Sequence, residues 1–158
     1  MREMRRKDRQ VTDLSKIELC LKESTCLHVG FYDEGEIYIV PVNFGYVMES
    51  DSFTLYFHGA KKGRKADLAA AKPSVGFEME THTQLVTAEK ACDFSQLYLS
   101  IVGNGVVSLL EDPAEKKAGL LAIMKKETGK TDWEFPEAML NATAVFKLEV
   151  TGYSCKEH

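Results

Sequence analysis

The chain has 158 residues, 44% of them hydrophobic and 28% charged, the balance of a globular protein about one domain long and not of a disordered chain. Lys and Arg number 20 against 24 Asp and Glu, a net charge of -4, which speaks against a nucleic-acid binder. No apolar run approaches the ~18 residues needed to span a bilayer, and no membrane association is expected.

The chain opens with Met1-Arg2-Glu3-Met4-Arg5-Arg6-Lys7-Asp8-Arg9, a charged arm (residues 1–12) of mixed sign with no apolar stretch behind it. It is neither a signal peptide nor a nucleic-acid arm, and the expected location is cytoplasmic. Asp13 is placed to cap a helix over residues 14–22, where Leu14, Ile17 and Leu21 recur at spacings of three and four. Residues 25–32 alternate as a strand, Asp33-Glu34-Gly35-Glu36 supplies a hairpin turn, and residues 37–42 form the return strand. Pro41 removes a ladder donor, so this stretch belongs at an edge or a bulge. A third strand over 52–58 aims Phe53, Leu55 and Phe57 one way and Thr54, Tyr56 and His58 the other.

Beyond a glycine-flanked loop, residues 64–71 have helix-forming composition, stopped by Pro73. A fourth strand spans 74–81. A long β-rich run from 96 to 110 is interrupted at Gly103-Asn104-Gly105, where a bulge or bend is expected. Asp112-Pro113-Ala114-Glu115 starts a helix that ends near Thr128-Gly129, and a last strand covers 144–150. No repeat or linker divides the chain. About six strands joined mostly by hairpins predict a mainly β (α+β) protein, a small antiparallel barrel with peripheral helices, as a single domain over 1–158.

The densest chemistry lies in His58-Gly59-Ala60-Lys61-Lys62-Gly63-Arg64-Lys65, with four cations in five positions between a strand and a helix. The glycines let a ligand approach the backbone, and cations at a helix start oppose its macrodipole unless an anion is present. In bulk water such a cation gains about 1 kcal/mol from an anion at contact. Charge-assisted bonds in a half-dry groove contribute about 1.5–3 kcal/mol each. Three of them approach the ~8 kcal/mol of a micromolar ligand, which favours a phosphate site over a merely solvated loop. No Walker-type loop is present. His58 closes the polar face of its strand at this loop and is the candidate catalytic residue, with a backbone-satisfied histidine as the plain alternative. Asn43, on the edge-prone stretch, can meet a planar hydrogen-bonding ring.

Four cysteines, Cys20, Cys26, Cys92 and Cys155, include no C-x-x-C pair and read as free thiols. Glu78, Glu80 and His82 share a strand face, but solvation explains them better than a metal, and no metal site is expected. Trp133 and Phe135 lie in an irregular segment that reads as peripheral core.

Taken in order, the N-terminal arm, Val40-Pro41-Val42-Asn43-Phe44-Gly45-Tyr46, Leu55-Tyr56-Phe57-His58 with the loop through Leu68, Pro73-Ser74-Val75-Gly76-Phe77-Glu78 and Ile101-Val102-Gly103-Asn104-Gly105-Val106 resemble the nitroimidazole-resistance branch of the pyridoxamine 5′-phosphate oxidase-like flavoproteins. The resemblance runs from about Met4 to Tyr153. It implies an FMN-binding split β-barrel and a homodimer with flavin at the interface. Carried over, Gly63, Arg64 and Lys65 fall at the flavin phosphate, Phe57 and His58 beside the phosphate and ribityl chain, and Val40, Pro41, Val42 and Asn43 along the isoalloxazine ring. Tyr98 or Ser100 supplies a polar contact from a later strand. The arginine-rich motif that holds substrate phosphate in the pyridoxamine oxidases proper has no counterpart in Thr151-Gly152-Tyr153-Ser154-Cys155-Lys156-Glu157-His158, which argues against that oxidation. The expected activity is flavin-dependent reduction of a small electron-poor acceptor, with FMN or FAD as cofactor. A non-catalytic flavin carrier, and a haem protein using His58 or His82, are the alternatives.

Overall fold

A single residue, Asn43, joins two strands that lie at opposite ends of the same sheet, and this forces the sheet to curl on itself. The computed structural model describes residues 4–158; the first three residues of the charged arm, Met1, Arg2 and Glu3, lie outside the described residues. The strands are β1 (Gln10–Val11), β2 (Leu27–Asp33), β3 (Glu36–Val42), β4 (Phe44–Met48), β5 (Phe53–Ala60), β6 (Ser74–Val86), β7 (Ser95–Leu109) and β8 (Thr143–Glu157). Four helices accompany them: α1 (Leu14–Glu23), α2 (Arg64–Ala69), α3 (Pro113–Thr128) and α4 (Glu137–Ala142). The ladder runs β3-β2-β6-β7-β8-β5-β4, all antiparallel, with β1 added beside β8. Consecutive Cα atoms are only ~3.8 Å apart, so β3 and β4 meet at Asn43 although no ladder joins them among the described residues. The result is a barrel with a split seam.

The mainly β, α+β expectation holds, with eight strands in place of about six. Part of the difference is β4, which begins two residues after the expected end of the return strand at Val42 and carries no strand expectation of its own. The rest is β1, a two-residue strand paired through Gln10↔Lys156 and Val11↔Cys155. Residues 10–11 of the arm are therefore built into the sheet rather than extended into solvent. Three local expectations hold in detail. Asp13 caps α1 by accepting from the Ser15 N–H at 2.9 Å, Asp112 caps α3 through the Glu115 N–H at 3.0 Å, and Gly129 ends α3 in the left-handed region. The 33–36 hairpin turns tightly with positive φ at Glu34 and Gly35. The irregularity expected at Gly103-Asn104-Gly105 falls between Asn104 and Gly105, but the additional residue is Thr151 on β8, since Gly105 pairs with Val150 while Asn104 pairs with Gly152.

Alternation on β5 sorts two cores. Phe53, Leu55 and Phe57 point into the barrel with Phe31, Phe44, Phe77, Met79, Ile101, Phe146 and Leu148. Phe57 and Phe146 are ladder partners and stack at 4.8 Å between ring centroids, 9° from parallel, a contact worth about 0.5–1.5 kcal/mol beyond its buried area. Tyr56, on the outer face, joins Val145, Leu120 and Ile123 beneath α3. Here α3 lies directly on β4, because a Cβ at Gly45 would stand 2.2 Å from the Ile123 nitrogen. The outer face of β2 and β3 has no such cover. Tyr32, Ile37 and Ile39 are 66%, 68% and 62% exposed.

Candidate functional site

The basic loop and the start of α2 sit where β5 leaves the sheet. Gly63 has φ 122 and ψ 166, a conformation open to glycine and costly for other residues, and it turns the chain into Arg64. Helix α2 covers only six residues, shorter than the 64–71 expected, so its dipole adds little and the side chains carry the site's charge.

Arg64 reaches to the β2–β3 hairpin. Its Nε donates to Asp33 Oδ2 at 2.6 Å, its Nη2 to Glu36 Oε2 at 2.9 Å, and its guanidinium lies 4.7 Å from the Tyr38 ring centroid. The hydrogen bonds to Glu36 and then Asp33 raise its pKa. Lys65 turns the other way. Its Nζ stands 5.2 Å and 5.6 Å from the Phe146 and Phe57 ring centroids and donates to the His58 carbonyl at 3.4 Å. Among the described residues it makes no ion pair. Gly59 makes room for it, since a Cβ there would lie 2.9 Å from Lys65 Nζ. Burial lowers the Lys65 pKa. The neighbouring His58 is lowered too, first by burial and then by the Lys65 charge.

Val40, Pro41, Val42 and Asn43 run along β3 and into the seam. β3 pairs only with β2, and Pro41 sits opposite His28, so the edge position read from Pro41 holds. Val42 is buried, Val40 half-buried, and Pro41 and Asn43 are exposed, leaving backbone groups of an edge strand free for a planar partner. Phe57 is wholly buried, so it bounds this corner through its backbone and through the ring under Lys65.

Tyr98 and Ser100 lie elsewhere. The ladder pairs Ser100 with Lys156 and Leu109 with Phe146, which places Ser100 about nine residues, roughly 30 Å of strand, from the basic corner. There Tyr98 is surrounded by cations: hydrogen bonds from Lys156 and Arg9 lower its pKa, against burial that opposes them. His158 Nε2 bridges Ser95 Oγ at 2.7 Å and Arg9 Nη2 at 3.1 Å. Glu78 and His82 are drawn into separate pairs, Glu78 with His28 at 3.1 Å and His82 with Glu23, and His82 lies in the irregularity of β6 between Thr81 and Gln84, with positive φ. Among the described residues no group of three or more His, Cys, Asp or Glu is arranged to hold a metal. Trp133 donates its Nε1–H to Thr128 Oγ1 at 3.1 Å and Phe135 packs on the outer core.

The sequence reading gives Asp33 and Glu36 only a place in a turn and Tyr38 only a place in a strand, although they decide how Arg64 is held. The signal was present in the acidic hairpin tip, but only the tertiary approach of α2 to that tip gives it meaning.

The sequence profile of the family described as Pyridoxamine 5′-phosphate oxidase matches residues 13–157. Among solved structures, the chain is similar to a candidate 5-nitroimidazole antibiotic resistance protein from Bacteroides thetaiotaomicron, with 28% identity, TM-score 0.79, and 94% of this chain and 86% of that one covered. An FAD and heme binding protein from Mycobacterium smegmatis shares the fold at 18% identity and TM-score 0.82, over 94% of this chain and 73% of that one. So does an FAD-binding protein from Mesorhizobium loti, at 21% identity and TM-score 0.66, over 95% and 97%. No curated protein gives a significant match.

Proposed function

Because the chain belongs to the pyridoxamine 5′-phosphate oxidase family, we propose that it binds a flavin at the β5–α2 corner as a single domain and serves as a reductase of small electron-poor acceptors. The observation that carries this is Lys65, a cation pressed over two aromatic rings that makes no ion pair among the described residues. Such a charge is costly to leave uncompensated, and a flavin phosphate supplies the missing anion. The fit extends to the neighbouring groups. Gly63 and Gly59 leave the backbone and the amino group open to approach, and the free edge of β3 offers hydrogen-bonding backbone from Val40 to Asn43. A bound flavin supplies the electron transfer itself.

The chain's own residues then bind and orient. Lys65 and Arg64 hold the phosphate, Arg64 being shared with Asp33 and Glu36. Asn43 and the β3 backbone border the ring. His58, exposed at the strand end and with its pKa lowered by partial burial and by Lys65, offers a hydrogen-bond donor or acceptor beside the ribityl chain or the acceptor. The bare apolar face of Tyr32, Ile37 and Ile39 suits a second copy of the chain, which would exclude water from the ring.

Fluorescence titration of flavin-free protein with FMN tests the site: Arg64→Ala is expected to weaken binding at least about tenfold, the loss of a charge-assisted bond, and an unchanged dissociation constant would remove the corner from the account. Stopped-flow mixing of the reduced protein with a nitroimidazole then separates a reductase, which is reoxidised rapidly, from a flavin carrier, which is not.

A further inference from the structure

We propose that the cavity between α3, α4 and the start of β8 is a second anion site that takes the adenylyl phosphate half of FAD, so that this chain selects the dinucleotide over FMN. The inference rests on the flavin reading of the neighbouring corner. The cavity measures about 320 Å³ and is lined by Lys61, Glu111, Lys116, Asn141 and Thr143 among others, at the lower end of the roughly 300–1,000 Å³ usual for small-molecule sites. The β5–β8 register sets Ala60 opposite Thr143, so the cavity adjoins the first residue of the basic loop. Lys61, on its rim, precedes Arg64 by three positions.

Lys116 is the unusual group. It is 6% exposed, and its amino group donates to the Leu140 carbonyl, which uses one of three N–H bonds. Burial first, and the charge of Lys61 second, push its pKa down. Two lysines thus share one cavity, and among the described residues neither makes an ion pair. Glu111 lines the same cavity and bridges to neither. Tying α4 to α3 needs a single neutral donor; a buried ammonium beside a like charge is a poor way to provide one. A phosphoryl group between Lys61 and Lys116 compensates both. The first turn of α3 borders the cavity at Pro113, but its N-terminus is already capped by the Asp112 carboxylate, so the two lysines carry the charge of the site. Asn141 and Thr143 offer the neutral donors and acceptors that a ribose or adenine requires.

Isothermal titration of flavin-free protein with FMN, FAD, ADP and inorganic phosphate tests this on the wild type, Lys61→Gln and Lys116→Met. The expected result is FAD at least about tenfold tighter than FMN, with ADP binding alone more tightly than inorganic phosphate. Each substitution should weaken FAD and ADP about tenfold and leave FMN within about twofold. Lys61 is exposed, so its variant remains informative if Lys116→Met fails to fold. Equal affinities for FMN and FAD, unmoved by Lys61→Gln, overturn the inference while leaving the flavin corner intact. ADP no tighter than inorganic phosphate overturns the adenylyl assignment. Binding of ADP without either flavin, lost in Lys61→Gln, supports the cavity as a nucleotide site and overturns the flavin reading beside it.

Discussion

At the β5–α2 corner Lys65 holds its ammonium over the Phe57 and Phe146 rings with no ion pair among the described residues, whereas at the far end of β7 Lys156 lies 5.3 Å from the Tyr98 ring centroid and Arg9 meets His158 at 3.1 Å. The second corner engages its cations internally, Lys156 with a phenol ring and Arg9 with a histidine that Ser95 also holds. The first leaves one cation without an ion pair among the described residues and ties the other, Arg64, to two carboxylates of a hairpin, Asp33 half-buried and Glu36 exposed. A cation with an internal partner stabilises the fold. One without is available to a ligand, because an arriving anion relieves a desolvation penalty that the fold already carries.

The contrast is broken most sharply by substitution at the first corner. Arg64→Ala should reduce flavin affinity at least about tenfold with little change in thermal midpoint, since its ion pairs are exposed. A smaller effect belongs to Tyr98. About eleven residues of β7, roughly 35 Å of strand, separate Tyr98 from the basic corner within one chain, so under the flavin reading its contact to the cofactor would come from a second copy. Tyr98→Phe should then weaken flavin binding several-fold, about 1 kcal/mol, as for one neutral hydrogen bond. Dilution that dissociates the copies should release flavin from both forms; retention of flavin by a monomer in sedimentation runs would confine the site to one chain.

The pH dependence sharpens the comparison further. Lys65 binds an anion only while protonated, and burial lowers its pKa from the ordinary 10.5. Flavin affinity should therefore be full at neutral pH and begin to fall on the alkaline side before an exposed lysine would titrate. Lys65→Arg should flatten that limb, and a profile unchanged by it would show that Lys65 does not face the phosphate. The smallest effect is expected at the hairpin. Asp33→Asn or Glu36→Gln frees Arg64 of one partner, and should tighten flavin modestly while moving stability by about 0.5 kcal/mol or less.

Much of this protein was legible from residues adjacent in the chain. The caps at Asp13 and Asp112, the stop at Gly129, the 33–36 turn, the edge placement of Pro41 and the cation cluster at 61–65 all follow from short-range chemistry: which side chain reaches which backbone donor, and which residue tolerates which φ. Hidden from it were relations between distant segments. Residues 44–48 carry no strand expectation in the sequence, where the return strand ends at Val42, and only closure of the barrel makes them a strand at the opposite end of the ladder from β3. Asp33, Glu36 and Tyr38 acquire a role only because α2 folds back over their hairpin. Lys116, the fourth residue of α3, carries no signal in the sequence; α4 and β8 bury it at the cavity it shares with Lys61. Local propensity and periodicity determine what each segment becomes; burial and charge proximity, which depend on how segments far apart in the chain are brought together, determine which of its side chains are left with chemistry to perform.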